Sequence, residues 1–119
     1  MGPSLLIVDD HGDFRAVARE LLADDGFDVT GEAADGEEAL AFVAAQHPDV
    51  VLLDVQLPGM DGFEIARRIA ELDDAPEVVL TSTRSARSYA TRLADCPVRG
   101  FIPKQDVSGQ RLSALLAKQ

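Results

Sequence analysis

Asp54 follows the apolar run Val50-Val51-Leu52-Leu53 and precedes Leu57-Pro58-Gly59, so a carboxylate stands where a buried strand gives way to a turn. Three more apolar runs end in a polar group. Leu5-Leu6-Ile7-Val8 ends in Asp9-Asp10, Val78-Val79-Leu80 in Thr81-Ser82, and Arg99-Gly100-Phe101-Ile102-Pro103 in Lys104. Carboxylates drawn together without compensation repel one another and raise each other's pKa. A hard divalent cation relieves this, and the carboxylates of Asp9, Asp10 and Asp54 with the backbone carbonyl of Gln56 suit Mg²⁺. Lys104 adds a point positive charge and Thr81 a hydroxyl donor. Around one carboxylate, such groups stabilise a phosphoryl group in transfer, with Asp54 as the nucleophile. Each residue also has a plainer reading. An Asp after a strand is commonly a turn former, a Thr there commonly does nothing, and Asp9-Asp10 would favour the dipole of a following helix. Their joint placement at four strand ends favours the site.

The elements that must carry these groups repeat a rhythm of apolar strand, polar turn and amphipathic helix. Strands are predicted over Leu5–Asp9, Asp28–Gly31, Val50–Asp54, Val78–Thr81 and Gly100–Ile102. The first, third and fourth are nearly continuous Val, Ile and Leu, as in strands of a parallel sheet covered on both faces. A first helix, about Asp13 to Ala23, places Phe14, Val17, Ala18, Leu21 and Leu22 on an inward face. A second runs from about Glu37 to Gln46, with Asp35 and Glu38 as a capping box, and Asp61 and Glu64 repeat that signature before a third. The third turns Ile65, Ile69 and Leu72 inward. A fourth, about Ala86 to Ala94, is weakened by Ser85, Ser88 and Thr91. A fifth, about Ser108 to Ala117, buries Leu112, Leu115 and Leu116. Strands alternating with helices make right-handed βαβ units and a doubly wound open parallel sheet of α/β class. Ligands in such sheets bind off the carboxyl ends of the strands, where Asp9, Asp10, Asp54, Thr81 and Lys104 fall.

A length of 119 residues suits one domain, expected to span 1–119, and the hydrophobic fraction of 46% is that of an ordinary globular chain. The formal net charge of −10 argues against direct nucleic-acid binding. A single cysteine excludes a disulfide framework, and Cys96 reads as a small filler near a helix end. No stretch is long and apolar enough to span a bilayer and no secretory leader is visible, so a cytoplasmic location is expected. His11 reads as a solvated loop histidine rather than a phosphodonor. His47, before Pro48, reads as the end of the second helix. No glycine-rich phosphate loop follows the first strand.

With these residues assembled, the chain resembles the receiver domains of bacterial two-component response regulators along essentially its whole length. The resemblance is carried by Leu6-Ile7-Val8-Asp9-Asp10-His11, Asp35-Gly36-Glu37-Glu38-Ala39-Leu40, the run from Asp49 through Asp54 to Gly62, Val79-Leu80-Thr81-Ser82 and Phe101-Ile102-Pro103-Lys104. It implies a flavodoxin-like (βα)5 fold with strand order 2-1-3-4-5. It implies Asp54 as phosphoacceptor, Mg²⁺ held at Asp9 and Asp10, Thr81 on a phosphoryl oxygen and Lys104 bridging to it. Phe101 matches the family's switch aromatic, which turns inward as Thr81 moves. The implied partners are a sensor histidine kinase as donor, a downstream protein or fused output domain, and a second copy on phosphorylation. The implied output surface is the fourth helix, fifth strand and fifth helix, with Arg84, Arg87 and Arg92.

Some positions depart from the commoner pattern. Gln105 stands where many receivers have a proline after the lysine, and Phe101 lacks the hydroxyl of the commoner tyrosine. The Asp-Asp-His opening is most like the branch that usually carries a helix-turn-helix output domain, none of which is expected within 1–119. Gln56 and Thr83 match positions that tune phosphate lifetime. Two other classes stay in view. An Mg²⁺-dependent aspartyl phosphatase would want an acid two residues after the nucleophile, where Gln56 stands. A receiver-like interaction module that is never phosphorylated would have no need of Asp9, Asp10, Asp54, Thr81 and Lys104 together.

Overall fold

The computed structural model describes residues 2–117. Five parallel strands form one sheet in the order β2-β1-β3-β4-β5, a flavodoxin-like arrangement. The strands are β1 (Ser4–Val8), β2 (Asp28–Ala33), β3 (Val50–Asp54), β4 (Glu77–Ser82) and β5 (Gly100–Pro103). Between and after them run α1 (Gly12–Asp24), α2 (Gly36–Gln46), α3 (Gly62–Ala70), α4 (Ala90–Ala94) and α5 (Gly109–Ala117).

Side chains alternate across a strand, which splits the core into two layers. Leu6, Val8, Val51, Leu53, Val78 and Leu80 meet Ala39 and Val43 of α2 and Phe63, Ile65, Ala66 and Ile69 of α3. Leu5, Ile7, Val50, Leu52, Val79 and Ile102 meet Ala18 and Leu22 of α1 and Leu112 of α5. The same parity continues off the strand ends. Asp9, Asp54, Thr81 and Lys104 prolong the rows of Ile7, Leu52, Val79 and Ile102, toward the α1 and α5 side.

The structure departs from the predicted elements in several places, and on α5 only Leu112 of the three expected leucines is buried, with Leu115 and Leu116 partly exposed. β2 runs on to Ala33, because a bulge opposite Leu5 and Leu6 resets its pairing with β1. The expected fourth helix is split into a 3-10 turn over Ala86–Tyr89 and a short α4, as its serines and threonine favour. On α1, Val17 and Leu21 are 60% and 37% exposed rather than buried, since Ala18 and Leu22 occupy the sheet-facing stripe. Leu72 lies beyond the end of α3, yet packs against the first core layer.

Helix ends follow local chemistry. Asp35 Oδ1 accepts from Glu38 N at 2.9 Å, while Glu38 Oε1 reaches back to Ala34 N at 2.7 Å, one residue beyond the cap. Asp61 Oδ1 accepts from Glu64 N at 3.0 Å, but Glu64 turns outward to Arg68. His47 closes α2 in the left-handed region at φ 49°. The first turn of α5 has two caps. Ser108 Oγ accepts from Arg111 N at 3.1 Å, and Asp25, from the turn after α1, accepts from Gly109 N at 2.8 Å.

Candidate functional site

Asp54 is the last residue of β3 and is paired in register with Thr81 on β4. The turn that follows is tightly built: Gly59 takes φ 79°, and Gly62 N donates to Val55 O at 2.8 Å. A Cβ on Gly62 would lie 2.5 Å from the Asp54 carbonyl oxygen, so only glycine lets α3 begin this close to the strand end.

The Asp54 carboxylate is 2% exposed. Gln56 N donates to its Oδ1 at 3.1 Å, and Lys104 Nζ lies 3.3 Å from its Oδ2. The same ammonium lies 2.6 Å from Oδ2 of Asp9, which is fully buried just past β1. Lys104 is thus the cation between two buried carboxylates, with its Nζ over the Phe14 ring at 4.6 Å from the centroid. Burial pushes the Asp54 carboxyl up to about 6, against the Gln56 N–H, with the Asp9 charge adding to the rise and Lys104 opposing it. Burial works to lower the Lys104 pKa, but the contacts with Asp9 and Asp54 raise it above its ordinary value.

The loop after β1 is held from three directions. Asp9 Oδ1 accepts from His11 N at 2.8 Å, and Arg15 Nη1 donates to the Asp9 carbonyl at 2.6 Å while its Nε holds Glu32. The His11 ring was expected to be solvated. It is 68% exposed, but its Nδ1 sits 3.1 Å from both Asp9 Oδ1 and Asp10 Oδ1. Only its place beside the acidic pair could have suggested this. Asp9, Asp10, His11 and Asp54 offer atoms that all lie within 4.8 Å of one another. The three carboxylates are hard oxygen donors of the type Mg²⁺ takes, so the donor set fits that ion. Thr81 Oγ1 is buried and has no hydrogen-bond partner among the described residues. A buried hydroxyl left in this state awaits an acceptor, since an unpaired polar group is unfavourable.

The sequence-selected residues Asp9, Asp10, Asp54, Thr81 and Lys104 therefore meet at one edge of the sheet, with the Gln56 backbone on the Asp54 carboxylate. Phe101 stands apart, on the opposite face, with its ring 5.9 Å from that of Tyr89. Tyr89 was not singled out by the sequence. It lies buried in the 3-10 turn before α4, between Phe101 and the Phe63 ring at 5.5 Å. Its hydroxyl is 3.1 Å from Ser82 Oγ, which also accepts from Arg84 N. Arg92, one of the three arginines expected on an output face, bonds Asp61 Oδ2 at 2.6 Å and covers the Phe63 ring at 4.1 Å. Burial acts to raise the Asp61 carboxyl, but the Arg92 guanidinium and the helix N–H groups hold it below its usual value.

The chain is similar to known proteins in sequence and in fold. A family model described as the response regulator receiver domain matches residues 5–117. The transcriptional regulatory protein PdtaR of Mycobacterium tuberculosis is 36% identical over 100 residues, covering 84% of this chain and 48% of that protein. A protein-glutamate methylesterase/protein-glutamine glutaminase of Hahella chejuensis is 40% identical over 89 residues, 75% of this chain and 26% of that protein. Among solved structures, a two-component response regulator of the LuxR family from Aurantimonas superposes with a TM-score of 0.86 at 28% identity, covering 98% of this chain and 84% of that one. The chain spans about half or less of the length of these two curated relatives.

Proposed function

The chain belongs to the response regulator receiver domain family, and from that premise we propose that Asp54 accepts a phosphoryl group from a histidine kinase or a small phosphodonor. The observation that carries this reading is the buried Asp54 carboxylate, flanked by Asp9, in register with Thr81 and touched by Lys104. A receiver is a signalling switch, and the proposed chemistry is the writing of its state.

In the transfer, an Asp54 oxygen attacks phosphorus and a new O–P bond forms. The N–P bond of a phosphohistidine donor breaks, and the imidazole leaves with the electron pair and keeps its proton. Lys104 presents its ammonium to the oxygens that gain charge, and the unpartnered Thr81 hydroxyl donates to one of them. Asp9, Asp10, Asp54 and the Gln56 carbonyl would hold Mg²⁺. Bound there, the ion would screen the acceptor's charge from the incoming phosphoryl and spread the charge that develops on its oxygens.

A protein donor needs a foothold next to a buried acceptor. Val17 and Leu21 are the exposed large hydrophobics among the described residues, and both continue the side of α1 that begins with Phe14 beside Lys104. We assign this stripe to the kinase. Downstream, the 3-10 turn, α4 and β5 would take a second arrangement that an output protein, a joined output domain or a second copy reads. As one receiver domain, the segment itself would make no nucleic-acid or membrane contact. No helix among the described residues is long and apolar enough to cross a membrane.

The test is incubation with a small phosphodonor and Mg²⁺, followed by intact-mass measurement and light scattering. Gain of one phosphoryl group that is absent in Asp54→Asn and abolished by chelator is expected. A phosphoryl group retained in Asp54→Asn, or none gained by the wild-type chain, would overturn the reading. A doubled particle mass would identify dimerisation as an output.

A further inference from the structure

Thr81 and Ser82 are neighbours at the end of β4, so their side chains leave opposite faces of the sheet. Thr81 meets the acidic site, where its hydroxyl has no partner among the described residues. Ser82 meets the other face, where its Oγ is fully buried and 3.1 Å from the Tyr89 hydroxyl. One strand end therefore joins the site to the segment that starts α4. Tyr89 is held on both sides by aromatic rings, Phe63 from the start of α3 and Phe101 from β5. Phe101 cannot swing inward without displacing the ring it rests on, because packed interiors hold no spare room.

We propose that Tyr89 is a positioning residue of the switch, its hydroxyl bond to Ser82 carrying movement of Thr81 across the sheet to α4. This rests on the phosphoacceptor reading of Asp54. When a phosphoryl oxygen gives the Thr81 hydroxyl its acceptor, the end of β4 is drawn toward it. Ser82 follows, and Tyr89 follows Ser82. The hydroxyl that Phe101 lacks is thus supplied from the neighbouring segment. A second tie also reaches α4, the Arg92–Asp61 pair, but it lies at the surface. Exposed ion pairs contribute little and weaken in salt, whereas a buried hydroxyl pair gains strength from its surroundings. The core contact is the one suited to transmit.

The experiment follows amide NMR shifts on adding Mg²⁺ and saturating beryllofluoride, an acyl-phosphate mimic, to four proteins: wild type, Tyr89→Phe, Ser82→Ala and the double variant. Tyr89→Phe keeps both ring contacts and removes only the hydroxyl. In wild type, amides at Asp54, Thr81 and Lys104 shift, and so do those of Ala90–Ala94. In either single variant the site shifts persist, while the ratio of switched to resting α4 falls about fivefold, the worth of one hydrogen bond. The double variant falls no further than Ser82→Ala alone, since that change already removes the bond to Tyr89 together with the one from Arg84 N. A full α4 response in Tyr89→Phe with the site occupied, or additive losses in the double variant, would overturn the proposal alone. Silence at Asp54, Thr81 and Lys104 in wild type would overturn it together with the phosphoacceptor reading.

Discussion

Asp54 is held ionised in a place that disfavours its charge. Its folded pKa of about 6 stands above the ordinary 3.8, so the folded chain binds the proton more tightly than the unfolded one. The sign follows from linkage: this group opposes folding above pH 6, and the opposition fades as pH falls toward 4. We expect Asp54→Asn, in chelator, to be more stable than wild type at pH 7.5 by on the order of 2–3 kcal/mol. The gap should close by about pH 4, and denaturant unfolding across pH measures it. A constant gap would mean the carboxylate is not strained by burial. Residue identities of this kind were legible in the chain, because Asp9, Asp54, Thr81 and Lys104 each end an apolar run. His11 and Tyr89 were not. The first has a role only through the direction its ring takes, and the second through two rings distant in sequence.

The helices do two jobs, and their faces divide accordingly. On α1, Ala18 and Leu22 are buried while Val17 and Leu21 face solvent. The 3.6 period groups all of them into one broad stripe and cannot tell which edge of it meets the sheet. If the exposed edge receives a kinase, Val17→Asp should slow phosphoryl transfer from that kinase about tenfold, near the worth of one buried apolar side chain. Transfer from a small phosphodonor should be unchanged, and the pair of rates separates docking from chemistry. At α3, Gly62→Ala would drive a methyl group into the Asp54 and Val55 backbone. We expect a loss of about 1–3 kcal/mol in thermal or chemical unfolding, with slower phosphorylation from both donors. The α4 segment was legible as weak but not as divided. Its serines and threonine announce low helix propensity, while the seat that Tyr89 takes between Phe63 and Phe101 rests on rings distant in sequence.

Across the molecule, strand alternation brings four chain-distant groups to one edge, and the charge gathered on Asp9 and Asp54 is answered by the half-buried Lys104 ammonium. A divalent ion at the acidic cluster should therefore stabilise the whole fold by mass action. At a concentration one hundredfold above its Kd, Mg²⁺ should contribute about 2.7 kcal/mol, seen as a raised Tm. Most of that gain should vanish in Asp9→Asn, and sodium chloride at matched ionic strength should not reproduce it. The sheet and its parallel sense could be read from the rhythm of strands and helices. The strand order came only through resemblance, since local pattern does not say which strands are neighbours. Nor could pattern show that Asp25, in the turn after α1, caps the first turn of α5. One packing detail has a practical use. The chain has one tyrosine and no tryptophan, so its tyrosine fluorescence comes from Tyr89 alone, whose ring lies between Phe63 and Phe101. The protein therefore carries a built-in optical gauge at the joint between sheet and α4, readable in real time without a label.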